Sequence, residues 1–180
     1  VFAKRFDVEA AALCSSGLLA GQTVLQYISQ KHPDASISLA PKTHPALWRY
    51  PHKPSLGNFT DWKTDTQILC MDGIGAPLVE EFLTGFEKKL SPEQTLIVDE
   101  SHRLGIVSTT INTPAHVIQT SSLSKAYGIP GGIILGKKSD IDHIKKDPFW
   151  VGGSPANPAY VYACLHAQEA YEERIMQSKE

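Results

Sequence analysis

Short apolar segments alternate along the chain with longer segments in which apolar residues recur at helical spacing. The short segments hold four to six residues and are mostly apolar, which is the pattern of strands buried on both faces of a sheet. They predict six strands, at residues 11–14, 37–40, 67–70, 95–100, 116–120 and 132–136.

The longer segments predict helices between these strands. Apolar residues at helical spacing indicate one helix over 18–30, a second over 77–90 and a long third over 158–177. A short helix is expected in the segment HPALWRY, because Pro45 suits a first helical turn. The stretch 51–63 is rich in proline and glycine and predicts a loop.

Strands that are apolar throughout and separated by helices indicate a mainly parallel sheet with helices on both faces. The expected fold class is therefore α/β, with three α/β/α layers in one domain over residues 1–180. The sequence contains no internal repeat and no low-complexity linker.

Composition and charge exclude several classes of protein. The 180 residues are 42% hydrophobic and 20% charged, with a formal net charge of -2, as in one soluble globular domain. The sequence has no run of lysine and arginine of the kind that would indicate a nucleic-acid partner. No apolar run is long enough to span a membrane, and the N-terminal VFAKRFDVEA lacks the apolar core of a signal peptide, so we expect a cytoplasmic protein. The three separated cysteines indicate reduced thiols, and neither they nor the histidines have the spacing of a metal site.

Polar residues cluster where the predicted strands end. In open parallel sheets, ligands bind at the carboxyl ends of the strands, so these residues are expected to meet in one crevice. The cluster comprises Ser15, Ser16, Gly17, His44, Asp72, Asp99, His102, Ser122, Ser124 and Lys125.

The cluster contains the groups that pyridoxal phosphate requires. Lys125 can form a Schiff base with an aldehyde, and Asp99, at the end of an apolar strand, suits a protonated ring nitrogen. His102 can present an imidazole beside the same ring. Ser16 and Gly17 open a helix whose N–H groups suit a phosphate, to which Ser122 could add a hydroxyl.

Each assignment also has a purely structural alternative. Lys125 could be a solvated surface charge, and Asp99 and His102 could be a helix cap or a satisfied polar pair. His44 could simply lie near a helix start. Ser16 could be an ordinary helix N-cap, a geometry that also binds phosphate.

Four segments resemble the fold-type-I pyridoxal-phosphate enzymes of the class II aminotransferase-like group, most closely the α-oxoamine synthases. That family includes glycine C-acetyltransferase, amino-oxononanoate synthase and serine palmitoyltransferase. The segments span almost the whole chain in the family's order: CSSGLLAG (14–21), CMDGIGAPLVE (70–80), VDESHRLG (98–105) and SSLSKAYGIPGG (121–132). The resemblance implies pyridoxal 5'-phosphate as the cofactor and a mainly parallel sheet with one antiparallel strand.

The resemblance also implies a role for individual residues. It makes Lys125, Asp99 and His102 the catalytic residues, with Lys125 bound covalently to the cofactor, Asp99 paired with the ring nitrogen and His102 at the ring hydroxyl. The other cofactor contacts that it implies are His44 stacked on the ring, Ser16, Gly17, Leu18 and Ser122 at the phosphate, and Cys70 close to the cofactor.

The chain departs from the family at several of these positions. Leu18 stands where the family usually has an aromatic residue, Gly21 where it has an asparagine, and Cys70 where it has a serine. The segment between His44 and Asp72 is shorter than in the family. Family members are about twice as long, with a C-terminal small domain, so we expect this chain to be a large-domain segment.

The resemblance implies condensation of an amino acid with an acyl-CoA in a homodimer with shared active sites. Ser154 falls where family members reach the partner's phosphate. An aminotransferase, which would pass the amino group to a keto acid, is the alternative, and it often has tyrosine where His102 stands. A third possibility is an inactive scaffold subunit, against which the presence of Lys125 argues.

Overall fold

The computed structural model describes residues 1–40, 43–47, 67–72, 90–105, 111–153 and 156–177. The predicted loop over 51–63 and, apart from its last residue, the predicted helix over 77–90 lie outside these residues. Of the segment HPALWRY, only the beginning is described, and Pro45–Leu47 form a short 3-10 helix there.

A six-stranded sheet forms the centre of the described structure. All six predicted strands are confirmed, with ends that differ by one or two residues. They are β1 (Ala10–Cys14), β2 (Ile37–Leu39), β3 (Ile68–Asp72), β4 (Thr95–Asp99), β5 (His116–Ser122) and β6 (Gly132–Gly136).

The sheet is mixed, with the spatial order β1-β6-β5-β4-β3-β2. Strands β2, β3, β4 and β5 pair in parallel, and β6 is antiparallel to both of its neighbours, β5 and β1. The expected fold, a mainly parallel sheet with one antiparallel strand, is therefore confirmed. Because β4 and β5 run in parallel and in register from Thr95 opposite His116, Asp99 and Thr120 lie side by side at the carboxyl end.

Six α-helices surround the sheet in the described residues. The predicted helices over 18–30 and 158–177 are present, whereas four short helices were not predicted because they hold too few turns to show a period. The helices are α1 (Phe2–Arg5), α2 (Gly17–Lys31), α3 (Leu123–Tyr127), α4 (Lys138–Ile144), α5 (Pro148–Gly153) and α6 (Pro158–Gln177).

Alternate residues of the strands pack on opposite faces of the sheet. On one face, α2 and α4 cover a core that includes Cys70, Ile97 and Ile118. On the other face, Ile133 and Leu135 of β6 pack with residues of α1, α3 and α6, while Leu96 and Val98 of β4 lie in a separate cluster. Burial of each Leu or Ile side chain contributes about 1.5–3 kcal/mol, so both layers stabilise the sheet.

A buried carboxylate joins α2, β5 and α4 at the opposite, amino-terminal end of the parallel strands. Asp140 is 1% exposed, and it accepts a hydrogen bond of 2.5 Å from the Tyr27 hydroxyl. His116 Nε2 lies 2.7 Å from its other oxygen, and Lys31 Nζ lies 3.4 Å from the first. These contacts satisfy a charge that would otherwise be costly to bury.

Candidate functional site

The candidate site lies where β4 and β5 end, next to the start of α2. Asp99 is the last residue of β4, Ser122 is the last residue of β5, and Lys125 belongs to the short helix α3 that follows at once. Parallel strands bring these positions to the same edge of the sheet, as the sequence predicts.

Asp99 is a buried carboxylate that has one oxygen occupied and one open. Its residue is 3% exposed, and Oδ1 accepts hydrogen bonds from the Ser101 backbone N–H at 2.9 Å and from the Ser101 hydroxyl at 2.5 Å. Among the described residues, the contact given for Oδ2 is His44 Nδ1 at 3.9 Å. A largely buried carboxylate whose second oxygen has no close partner among the described residues is suited to a cation.

His44 borders this open side of Asp99 without bonding to it. Its Nδ1 accepts a hydrogen bond from the Ala46 backbone N–H at 3.1 Å, so this nitrogen carries no proton to donate to Asp99. The separation of 3.9 Å is also too long for a hydrogen bond. The His44 side chain is 45% exposed, which leaves ring surface available to a ligand.

His102 and Lys125 are in direct contact. Lys125 Nζ lies 2.7 Å from His102 Nε2, and both side chains are exposed on the solvent side of the crevice. Partial burial and the positive charge of Lys125 hold the pKa of His102 below its usual value, against the opposing effect of Asp99. The ring is therefore neutral near pH 7, and its Nε2 accepts the hydrogen bond that Lys125 donates.

The start of α2 packs directly against the end of β5. Ser16 caps α2, with its hydroxyl accepting a hydrogen bond of 3.2 Å from the Leu19 N–H. The N–H groups of Gly17 and Leu18 precede the first intrahelical bond, from Ala20 to Ser16, and so point out of the helix end. A Cβ on Gly17 would lie 2.7 Å from Ser122 Cβ, so only glycine permits this approach. The helix end and Ser122 thus form one seat of hydrogen-bond donors suited to a phosphate.

Leu18 and Cys70, two of the predicted cofactor contacts, lie in very different surroundings. Leu18 is 55% exposed at the first turn of α2, so its side chain faces outward beside the phosphate seat. Cys70 is 0% exposed and packs in the core with Ile97 and Ile118, where burial raises the pKa of its thiol to about 12. The structure gives Cys70 the surroundings of a core residue, and its contact with a cofactor stays a prediction.

Two residues of the site were missed in the sequence. Ser101 is 7% exposed, and besides its bonds to Asp99 its hydroxyl accepts a hydrogen bond of 2.8 Å from the Ser122 N–H. Glu100 is wholly buried, with Gln119 Nε2 3.3 Å from Oε1 and Arg103 Nε 3.7 Å from Oε2. The only signal for either was its place between Asp99 and His102 in the sequence.

The predicted residues thus divide into those that meet and those that do not. Lys125, His102, Asp99 and His44 line one edge of the crevice, and Ser16, Gly17 and Ser122 form the adjoining seat. Ser154 lies outside the described residues.

The described residues include no cluster of three or more His, Cys, Asp or Glu side chains that could hold a metal ion. In the part of the chain that the structure describes, no helix combines the length and apolar character needed to cross a membrane.

The curated proteins to which this chain is similar in sequence share the name 8-amino-7-oxononanoate synthase. The chain is 28% identical to 8-amino-7-oxononanoate synthase of Thermosipho melanesiensis over 201 aligned positions, which cover 95% of this chain and 50% of that protein. It is 34% identical to the 8-amino-7-oxononanoate synthase of Petrotoga mobilis over 110 positions, covering 56% of this chain and 27% of that protein. The chain therefore spans about half the length of the curated relatives it matches. No protein-family model matches it.

Solved structures share the fold at low sequence identity. The 8-amino-7-oxononanoate synthase of Francisella tularensis has a TM-score of 0.69 at 18% identity, over 95% of this chain and 56% of that one. A structure of SPT with a PLP internal aldimine has a TM-score of 0.63 at 13% identity, over 98% of this chain and 52% of that one.

The same fold also occurs in a protein named for different chemistry. The cystathione gamma lyase of Micromonospora echinospora has a TM-score of 0.68 at 13% identity, over 94% of this chain and 50% of that one. The structural matches therefore establish the fold. The sequence relatives indicate which enzymes with this fold the chain resembles. The chain is similar in sequence to the α-oxoamine synthases and has the fold of the fold-type-I pyridoxal-phosphate enzymes, which confirms the resemblance found in its motifs.

Proposed function

We propose that this chain is the cofactor-binding large domain of a pyridoxal-phosphate-dependent acyltransferase of the α-oxoamine synthase type. The observation that carries the proposal is the contact of 2.7 Å between Lys125 Nζ and His102 Nε2, beside the buried Asp99 carboxylate. A lysine, a neutral imidazole and a buried anion in one crevice are the groups that this chemistry uses.

The residues present fit pyridoxal phosphate. Asp99 Oδ2 offers a buried negative charge for the protonated ring nitrogen, and His44 borders the same space with an exposed ring. The seat formed by Ser16, Gly17 and Ser122 offers backbone and hydroxyl donors for the phosphate. When bound, the cofactor supplies an electron sink that stabilises negative charge on the substrate carbon.

The chain's own residues would divide the work between binding and proton transfer. Lys125 would hold the cofactor covalently through Nζ and, once released by an amino acid, would take the proton from the substrate carbon. His102, kept neutral by its lowered pKa, would accept a hydrogen bond from Lys125 Nζ at 2.7 Å and so orient that nitrogen. Asp99 would keep the ring nitrogen protonated, which requires that its carboxylate stay ionised and correctly turned.

Acyl transfer is favoured over transamination by the names of the relatives and by His102. The curated relatives are named 8-amino-7-oxononanoate synthase. The proposed substrates are therefore an amino acid and an acyl-CoA, in a cytoplasmic homodimer whose subunits share active sites. The small domain and the remaining substrate contacts would come from sequence beyond this segment.

The cofactor part of the proposal is tested by absorption. The full chain, mixed with pyridoxal phosphate, is expected to absorb in the violet, and borohydride is expected to fix the cofactor to the protein. Lys125→Ala should abolish the fixed cofactor, whereas Lys145→Ala, which removes an exposed lysine after α4, should not. A colourless wild-type protein that fixes no cofactor would refute the proposal.

The reaction is tested separately with substrates. Glycine, alanine or serine is supplied with acyl-CoA to the cofactor-loaded protein, and free thiol is measured. Release of CoA that depends on both substrates supports acyl transfer. Formation of a keto acid without free thiol would instead identify an aminotransferase, and a loaded protein inactive in both assays would favour the scaffold alternative.

A further inference from the structure

We propose that Ser101 is a positioning residue that fixes the Asp99 carboxylate and ties it to the phosphate seat. The inference rests on the proposed function, because it assigns a role within the same cofactor site. Neither the sequence motifs nor the relatives assign any role to this serine, which lies between Asp99 and His102 in the sequence and hydrogen-bonds to Asp99.

The hydrogen bonds of Ser101 have a defined direction. The Ser122 N–H donates to Ser101 Oγ at 2.8 Å, so the serine oxygen acts as an acceptor on that side. Its own hydroxyl proton is then free to be donated to Asp99 Oδ1, 2.5 Å away. A hydroxyl that accepts one bond becomes a stronger donor for the next, and donation to a carboxylate is among the stronger hydrogen bonds.

The two bonds from Ser101 hold one edge of the carboxylate. The backbone N–H and the hydroxyl of Ser101 both reach Oδ1, at 2.9 and 2.5 Å. With Oδ1 held in this way, Oδ2 is turned toward the open side of the crevice, where His44 lies 3.9 Å away. Ser101 therefore decides which oxygen of Asp99 is presented and at what angle.

The same hydroxyl connects the ring anchor to the phosphate seat. Ser122, whose N–H it accepts, is also the residue against which Gly17 packs without room for a Cβ. A continuous chain of contacts thus runs from Asp99 through Ser101 and Ser122 to the start of α2. Since the planar ring and the short CH2–O arm of pyridoxal phosphate limit the distance between its ring nitrogen and its phosphorus, a fixed spacing between these two anchors pre-organises the site for it.

The test measures the affinity of the full chain for pyridoxal phosphate. Ser101→Ala removes the hydroxyl and keeps the backbone bond to Asp99, and a loss of about tenfold in affinity is expected from one charge-assisted hydrogen bond. Ser101→Thr, which keeps the hydroxyl, should restore most of it. Ser121→Ala is the matched control, because Ser121 is 1% exposed on the same strand as Ser122 and its hydroxyl bonds only to the Ser122 carbonyl among the described residues.

A double-mutant cycle separates positioning from a general structural effect. If Ser101 acts through Asp99, the loss caused by Ser101→Ala should largely disappear in an Asp99→Ala background. Equal losses in both backgrounds, or an unchanged affinity of Ser101→Ala, would overturn the inference. A wild-type chain that binds no cofactor would instead refute the proposed function, so the two failures are distinguishable. Thermal unfolding without cofactor confirms that each variant folds.

Discussion

Glu100 provides a prediction whose size follows mainly from burial. The residue lies directly after Asp99, is 0% exposed, and its Oε2 accepts no hydrogen bond from the described residues. Burial raises the pKa of Glu100 from 4.5 to about 7; Arg103 and Gln119 act in the opposite direction, and Asp99 adds to the rise. The folded protein therefore keeps this proton over a pH range in which the unfolded chain releases it.

The sign of the pH dependence follows from that difference. Between pH 4.5 and about 7 the folded state binds more protons at Glu100 than the unfolded state, so the free energy of unfolding falls as the pH rises. The raised pKa corresponds to a loss of about 3 kcal/mol once the pH is above both values. Glu100→Gln removes the titrating group. The free energy of unfolding of the variant, minus that of the wild type, should therefore rise by about 3 kcal/mol as the pH goes from about 4 to about 8.

The assay is denaturant unfolding of the full chain, followed by circular dichroism at several pH values across this range. The measured quantity is the difference in free energy of unfolding between Glu100→Gln and the wild type at each pH. Glu173→Gln, at an exposed position on α6, is the control for the replacement of a glutamate by glutamine. A pH-independent difference for Glu100→Gln would refute the argument, because it would mean that Glu100 titrates alike in both states.

Two further predictions concern the phosphate seat and the opposite end of the sheet. Gly17→Ala places a Cβ 2.7 Å from Ser122 Cβ, so it should cost about 1–3 kcal/mol of stability and weaken pyridoxal phosphate binding. Thermal unfolding measures the first effect and titration with the cofactor the second. An unchanged affinity would contradict the assignment of this seat to the phosphate. Asp140→Asn should cost about 3–5 kcal/mol near pH 7, since it removes a buried charge that Tyr27, His116 and Lys31 contact. Burial opposes ionisation of Asp140, but the Tyr27 hydrogen bond and His116 hold its pKa below 3.8, so its contribution is present above that pH and is lost as the pH falls below it. A cost that persisted unchanged in acid would contradict this account.

Much of the sheet could be predicted because its strands are buried on both faces. Segments such as TLIVD of β4, buried at every position, carry a signal that needs no knowledge of the partner strands. The same pattern indicated where the strands end, and so which polar residues would share an edge. The antiparallel direction of β6 is different, since nothing in GIILG encodes direction. The resemblance implied one antiparallel strand but not which strand it would be.

The hydrogen bonds inside the site could not be predicted, because they depend on distances of a few tenths of an ångström. Sequence places Ser101 beside Asp99, but it does not tell that the same hydroxyl also reaches Ser122 of the next strand. The burial of Glu100 was hidden for a similar reason. A glutamate after a strand normally faces solvent, and only the packing of Arg103 and Gln119 around it shows otherwise.

The choice of reaction depends on these side chains and not on the architecture. A synthase and a lyase match the chain with TM-scores of 0.69 and 0.68, so the sheet and its crevice serve more than one chemistry. The buried Asp99 and the exposed Lys125 supply what any use of the cofactor would need. In the proposed function, the residue that favours acyl transfer over transamination is the neutral His102, whose Nε2 accepts a hydrogen bond from Lys125. If the proposed function holds, specificity is to be sought first in the contact between these two residues, and only then in the acyl-binding surfaces.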